Sequence, residues 1–144
     1  MPYWRLFYHL IWATKGRAPL ITSDAIERTL IGGMRDKAAE LGAIVHAAGC
    51  ADDHVLLAVS VPPSVGLATF AGQVKGASSH LLDQTLPLPQ RFARQAEYGV
   101  VSFGEKQLPW VVEYVENQRQ HHAERNTYAS LERFEAPATP LEES

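Results

Sequence analysis

The sequence predicts an α+β fold of the ferredoxin-like kind: a sandwich of a four-stranded antiparallel sheet with helices on one face, and a C-terminal helix carrying a tyrosine. Three observations carry that expectation. Apolar runs of strand length alternate with stretches of helical spacing, in the order strand, helix, strand, strand, helix, strand, helix. One pair of runs is joined closely enough for a hairpin, while the other connections between strands are long and hold a helix each. The breakers Gly42, Pro62-Pro63, the proline-rich stretch 86–89 and Gly104 fall between the elements. Many unrelated proteins share this layout, so it assigns no function by itself.

The elements follow in order. Residues 3–14 are rich in aromatic and branched side chains and read as a strand, ended by a turn at 15–19. Thr22, Ser23 or Asp24 can cap a helix that runs to about Leu41 and stops at Gly42. Its expected core positions are Ile26, Leu30, Ile31, Met34, Ala38 and Leu41. Residues 43–50 and 54–61 form a hairpin around Ala51-Asp52-Asp53. Residues 64–84 read as the second helix, with Val65, Leu67, Phe70, Val74, Leu81 and Leu82 facing the core. A short strand covers 99–103, and Pro109 suits the first turn of a third helix reaching about Asn126. Residues 1–126 are thus expected to form one domain, with 127–144 an acidic and flexible tail.

Composition narrows the function classes. A chain of 144 residues with 46% hydrophobic and 20% charged residues is ordinary for a one-domain soluble protein. The single cysteine, Cys50, excludes an internal disulfide framework and any cysteine-pair zinc site. The N-terminal residues lack the pattern of a signal peptide, and no apolar run reaches membrane-spanning length, so a cytoplasmic location is expected. The net charge of -3 resides in the tail, where Glu132, Glu135, Glu142 and Glu143 face Arg133 alone. The preceding 126 residues are neutral overall, so DNA binding would rest on local contacts rather than on a broad basic face.

Two groups of polar residues stand out. On the second hairpin strand His54, Leu56, Ala58 and Ser60 share one face, and the branched set Val55, Leu57, Val59 and Val61 the other. The branched set is the natural core face, which leaves His54 on the open face beside the turn residues Asp52 and Asp53. On the third helix Tyr114, Gln118 and His121 fall on one stripe, next to an apolar stripe of Val111, Val112 and Val115. Taken singly, these are a half-exposed histidine at a turn and a tyrosine at the rim of a core.

Five segments in fixed order give them a shared context: YHLIWATKGRAPLIT, DDHVLLAVSVPP, KGASSH, YGVVSFGEKQLP and EYVENQRQHH. Together, from about Tyr3 to Asn126, the chain resembles the HUH single-tyrosine transposases, including insertion-sequence and REP-associated members. The resemblance implies metal-assisted cleavage and rejoining of single-stranded DNA through a 5′-phosphotyrosine. It assigns the nucleophile to Tyr114 and metal ligands to His54 and Gln118, with Mg²⁺ or Mn²⁺ as the divalent cation. It further implies hairpin or single-stranded DNA as partner, a homodimer whose tyrosine helix completes the partner's site, and no membrane. Lys15, Arg17, Lys75, Ser78 and Ser79 match family segments expected near DNA. His121 and His122 match one subgroup and take no assigned role.

One departure bears on chemistry. The family motif places histidines at i and i+2 of a strand, so that both imidazoles point the same way and grip one metal. Here the triplet is His54-Val55-Leu56, and leucine cannot ligate. His46 on the preceding strand would substitute only if the hairpin register placed it on the open face. A weakened site of His54, Gln118, Asp52 or Asp53 and waters predicts reduced metal affinity and cleavage. A second departure is Arg94, where relatives typically have tryptophan, and it touches packing alone. Three readings follow: a working or impaired transposase, a catalytically inactive DNA-binding regulator or relic, and a dimeric α+β domain with no DNA role. The Tyr114/Gln118 helix favours the first two, and Leu56 favours the second over an efficient enzyme.

Overall fold

A computed structural model describes residues 3–86 and 98–118. The elements are β1 (Tyr8–Ala13), α1 (Asp24–Glu40), β2 (Ile44–Ala51), β3 (His54–Ser60), α2 (Leu67–Thr85), β4 (Gly99–Ser102) and α3 (Leu108–Glu116). The sheet order is β2-β3-β1-β4 with every pairing antiparallel, as the ferredoxin-like expectation requires. The predicted extension of the third helix to Asn126, the tail 127–144, Arg94, His121 and His122 lie outside the described residues. Among the described residues no helix is long and apolar enough to cross a membrane.

Local chemistry sets the boundaries. Of the three candidate caps, Ser23 starts α1, its hydroxyl accepting from the Ile26 amide at 3.2 Å. Gly42 ends α1 at φ 80, where the Gly42 amide donates to Ala39 and the Ala43 amide to Ala38. That paired closure needs a left-handed residue, which glycine supplies without strain. The hairpin loop is Asp52-Asp53, since Ala51 pairs with His54. β1 starts at Tyr8 and α2 at Leu67, both later than the sequence predicts. At α2 the chain first makes a turn, with the Val65 amide donating to the Pro62 carbonyl.

The helices α1 and α2 pack on one sheet face over Leu10, Trp12, Val55, Leu57 and Val59. They approach closely at Gly33, where a Cβ would meet Ser78 Cα at 3.0 Å. Leu81, expected in the core, is 38% exposed because Phe70, Val74 and Leu82 already fill the face toward the sheet. The opposite sheet face is not open. All seven residues of β3 are buried, because α3 covers the side that carries His54 and Leu56.

Candidate active site

Small side chains allow α3 to lie directly on the sheet. A Cβ at Gly49 of β2 would fall 1.9 Å from the Val115 carbonyl oxygen, so any larger residue there collides with helix backbone. Ala47 and Ala58 flank this gap, and Val111, Tyr114 and Val115 fill it together with Ile11 and Leu56. Tyr114 is fully buried. Its ring is stacked on Trp110, one turn earlier, with centroids 5.8 Å apart and planes inclined by 4°. The tyrosine expected at the rim of the core is therefore inside it, because α3 rests on the sheet through the phenol ring itself.

A chain of polar contacts runs from the first turn of the molecule to this helix. Arg17 Nε donates to Asp53 Oδ2 at 3.0 Å, and Asp53 Oδ1 lies 2.8 Å from His54 Nδ1. His54 Nε2 lies 3.2 Å from Gln118 Oε1, and Gln118 Nε2 donates to the Tyr114 carbonyl at 3.1 Å. The turn is fixed by the Thr14 amide on the Asp53 carbonyl and the Ile21 amide on the Asp52 carbonyl. Gly16 and Arg17 both take positive φ there, 64 and 58, an unfavourable conformation for an arginine. Burial pushes the Asp53 carboxyl up, but the His54 hydrogen bond and the charges of Arg17 and His54 outweigh it and hold the group below the usual carboxylate range.

Gln118 commits its amide nitrogen to Tyr114, so its oxygen faces His54 and must accept. The Asp53 carboxylate accepts on the other side of the ring. His54 is thus engaged through both ring nitrogens, by Asp53 on one side and Gln118 on the other. Contrary to the expectation of a half-exposed residue on an open face, His54 is 2% exposed, because α3 and Gln118 close over it.

The residues present do not fit a divalent cation as they stand. Leu56, at the second ligand position, is fully buried against the tyrosine helix. Among the described residues no group of three or more His, Cys, Asp or Glu side chains can hold a metal ion. His46 offers no substitute. It sits at a register shift between Val45 and Ala47, with Nε2 2.8 Å from Ser60 Oγ. Ser60 is six residues along β3 from His54, about 20 Å at strand rise.

The expected DNA-contact residues separate into two kinds. Lys15 and Arg17 are exposed, with Arg17 paired to Asp53. Lys75, Ser78 and Ser79, matched to family segments expected near DNA, are buried. The Lys75 ammonium lies 5.6 Å from the Tyr98 ring, and the Ser78 hydroxyl is bonded to the Val74 and Lys75 carbonyls at the contact with Gly33. Sequence reasoning missed Gly49, Trp110 and the fully buried His9, which lies two residues before Ile11 on the α3 face. Strand alternation carries the signal for His9. Nothing in the sequence marks Gly49 as the landing point of a helix far along the chain.

The profile of the family described as "Transposase IS200 like" matches residues 2–118. The chain is also similar to the transposases for insertion sequence element IS200 of Salmonella typhimurium and Salmonella typhi. Each is 29% identical over 80 residues, which are 55% of this chain and 51% of the relative. The chain thus spans about half the length of the curated relatives it matches. Among solved structures, a candidate transposase from Deinococcus radiodurans superposes with a TM-score of 0.64 at 27% identity, covering 83% of this chain and 95% of that one. A REP-associated tyrosine transposase bound to a REP hairpin superposes with a TM-score of 0.61 at 12% identity, covering 85% and 74%, and shares the fold.

Proposed function

This chain belongs to the IS200-like transposase family, and from that premise we propose that it binds hairpin and single-stranded DNA ends while its strand cleavage is strongly impaired. The observation that carries the second half is the packing of Leu56 against α3, at the place of the second metal histidine. The DNA reading draws support from family membership and from the exposed Lys15 and Arg17, of which Arg17 heads the polar chain leading to α3. Both side chains suit phosphate contacts.

Tyr114 is the proposed nucleophile. Its hydroxyl oxygen bonds to a backbone phosphorus, the P–O3′ bond breaks, and the departing strand keeps a 3′-hydroxyl after taking a proton. Attack by a 3′-hydroxyl on the phosphotyrosine reverses the step and rejoins strands. Three features of this chain oppose the forward reaction. The tyrosine is fully buried and stacked, so α3 must shift before the hydroxyl meets DNA. His54 is engaged at both ring nitrogens, by Asp53 and by Gln118. Leu56 leaves no second imidazole, and no metal-dependent step is assigned to the residues as they stand.

The alternative reading, an inactive regulator or relic that keeps hairpin recognition, is favoured by the same Leu56. We also assign the DNA-binding unit to residues 1–126, with 127–144 as an appended tail, in a cytoplasmic homodimer. Titration of labelled oligonucleotides tests the DNA reading. Tighter binding of a hairpin-bearing strand than of an unstructured strand at moderate salt is expected, unchanged in Tyr114→Phe. Equal affinities would contradict it.

A further inference from the structure

Asp53 is the junction between the turn at Lys15–Arg17 and the tyrosine helix. Its backbone carbonyl accepts from the Thr14 amide at 2.9 Å and from the Thr14 hydroxyl at 3.3 Å, which fixes it to the end of β1. Its carboxylate gives one oxygen to each neighbour. Oδ2 accepts from Arg17 Nε at 3.0 Å, and Oδ1 lies 2.8 Å from His54 Nδ1. Beyond the imidazole, Gln118 meets Nε2 at 3.2 Å and donates to the Tyr114 carbonyl at 3.1 Å. Arg17 makes its contact from φ 58, a conformation that an arginine keeps only where its surroundings over-determine it. Glycine would hold the same backbone at lower cost, so what arginine adds at this position is its side chain. At the other end of the chain Tyr114 is fully buried, and α3 has to yield before its hydroxyl can react.

We propose that Asp53 is a positioning residue that couples the Lys15–Arg17 turn to α3, so that a DNA phosphate engaging Arg17 loosens the tyrosine helix. A phosphodiester matches a guanidinium as well as a carboxylate does, and therefore competes with Asp53 for Arg17. The carboxylate then loses the partner that fixes its second oxygen. Its hold on His54 weakens, and with it the His54–Gln118 contact at the C-terminal end of α3. Tyr114 is in this way kept inside the molecule until DNA is in place. The release by phosphate rests on the DNA reading above; the coupling through Asp53 stands on the contacts alone.

The test is hydrogen exchange of the α3 amides in the full chain, with α1 and α2 as internal controls for intact folding. Arg17→Gln should speed exchange in α3 about two- to fivefold, the scale of an exposed ion pair. Arg17→Lys, which keeps the charge, should have a smaller effect. In an Asp53→Asn or a Gln118→Ala background the same Arg17→Gln change should add nothing, because the chain of contacts is already cut. An equally large effect in those backgrounds, or none in the otherwise unchanged chain, would overturn the coupling. With a hairpin-bearing oligonucleotide at saturation, α3 of the wild-type chain should also exchange faster, and Asp53→Asn should remove that response. Unchanged or slower α3 exchange in the wild-type complex would overturn the release by phosphate. Failure of the wild-type chain to bind the oligonucleotide would instead overturn the DNA reading and the release with it, while the comparison of variants still decides the coupling.

Discussion

The two faces of the sheet are built by different rules. Against α1 and α2 lies a continuous apolar layer, with Leu10, Val55, Leu57 and Val59 meeting Leu30, Met34, Phe70 and Val74. Against α3 the sheet presents small residues, Ala47, Gly49 and Ala58, and buries His9, His54, Gln118 and Tyr114 among them. The first face gains from area removed from water. The second gives up area and takes on polar groups that demand partners. The contrast teaches that stability resides on the helix-pair face, and that the α3 face is kept for groups whose positions matter more than their burial.

That division can be broken by substitution. The largest effect is expected for Leu57→Ala, a fully buried residue on the helix-pair face, at about 2–5 kcal/mol by denaturant titration with the whole chain lost in one transition. Gly49→Ala should cost about 1–3 kcal/mol as an overpacking change. It should act locally: hydrogen exchange should speed up in α3 while α1 and α2 keep their protection. Protection lost equally in all three helices would show that the two faces are one cooperative unit. Gln118→Ala removes the hydrogen-bond partner of the buried His54 Nε2 and should cost about 1–3 kcal/mol in thermal unfolding.

The smallest effect concerns pH. Burial, then the nearby charge of Arg5, holds His46 below its ordinary value of 6.5. Between that value and its lower folded value the unfolded chain binds more protons than the folded one, so stability falls as pH drops through this window. His46→Gln should flatten this slope in melts recorded from pH 7 downward; an unchanged slope would place its origin elsewhere.

The helix-pair face was legible in the sequence because it is made by periodicity. The branched set Val55, Leu57, Val59 and Val61 and the spacing of Ile26, Leu30, Met34 and Ala38 each select one face locally. The α3 face was legible only in its chemistry. Spacing placed Tyr114 and Gln118 on one stripe, and strand alternation placed His54 and Leu56 together. That the two stripes meet depends on a contact between residues 64 positions apart, and on a glycine whose role is to be absent. For the same reason strand alternation predicted an open face where α3 lies. The burial of Lys75, Ser78 and Ser79 was not legible, because small and long polar residues on a helix are usually solvated, whereas here α1 passes close enough at Gly33 to cover Ser78.

The central claim, that binding survives while attack by Tyr114 is held back by Leu56, is tested most directly by quantifying the covalent tyrosine–DNA adduct on a denaturing gel. The substrate is a hairpin-bearing single strand with Mn²⁺. Little or no adduct is expected from the wild-type chain, and more from Leu56→His, which restores two imidazoles at i and i+2 on one strand face. The gain should vanish in the double variant with Tyr114→Phe. Abundant adduct from the wild-type chain, lost in Tyr114→Phe, would contradict the account.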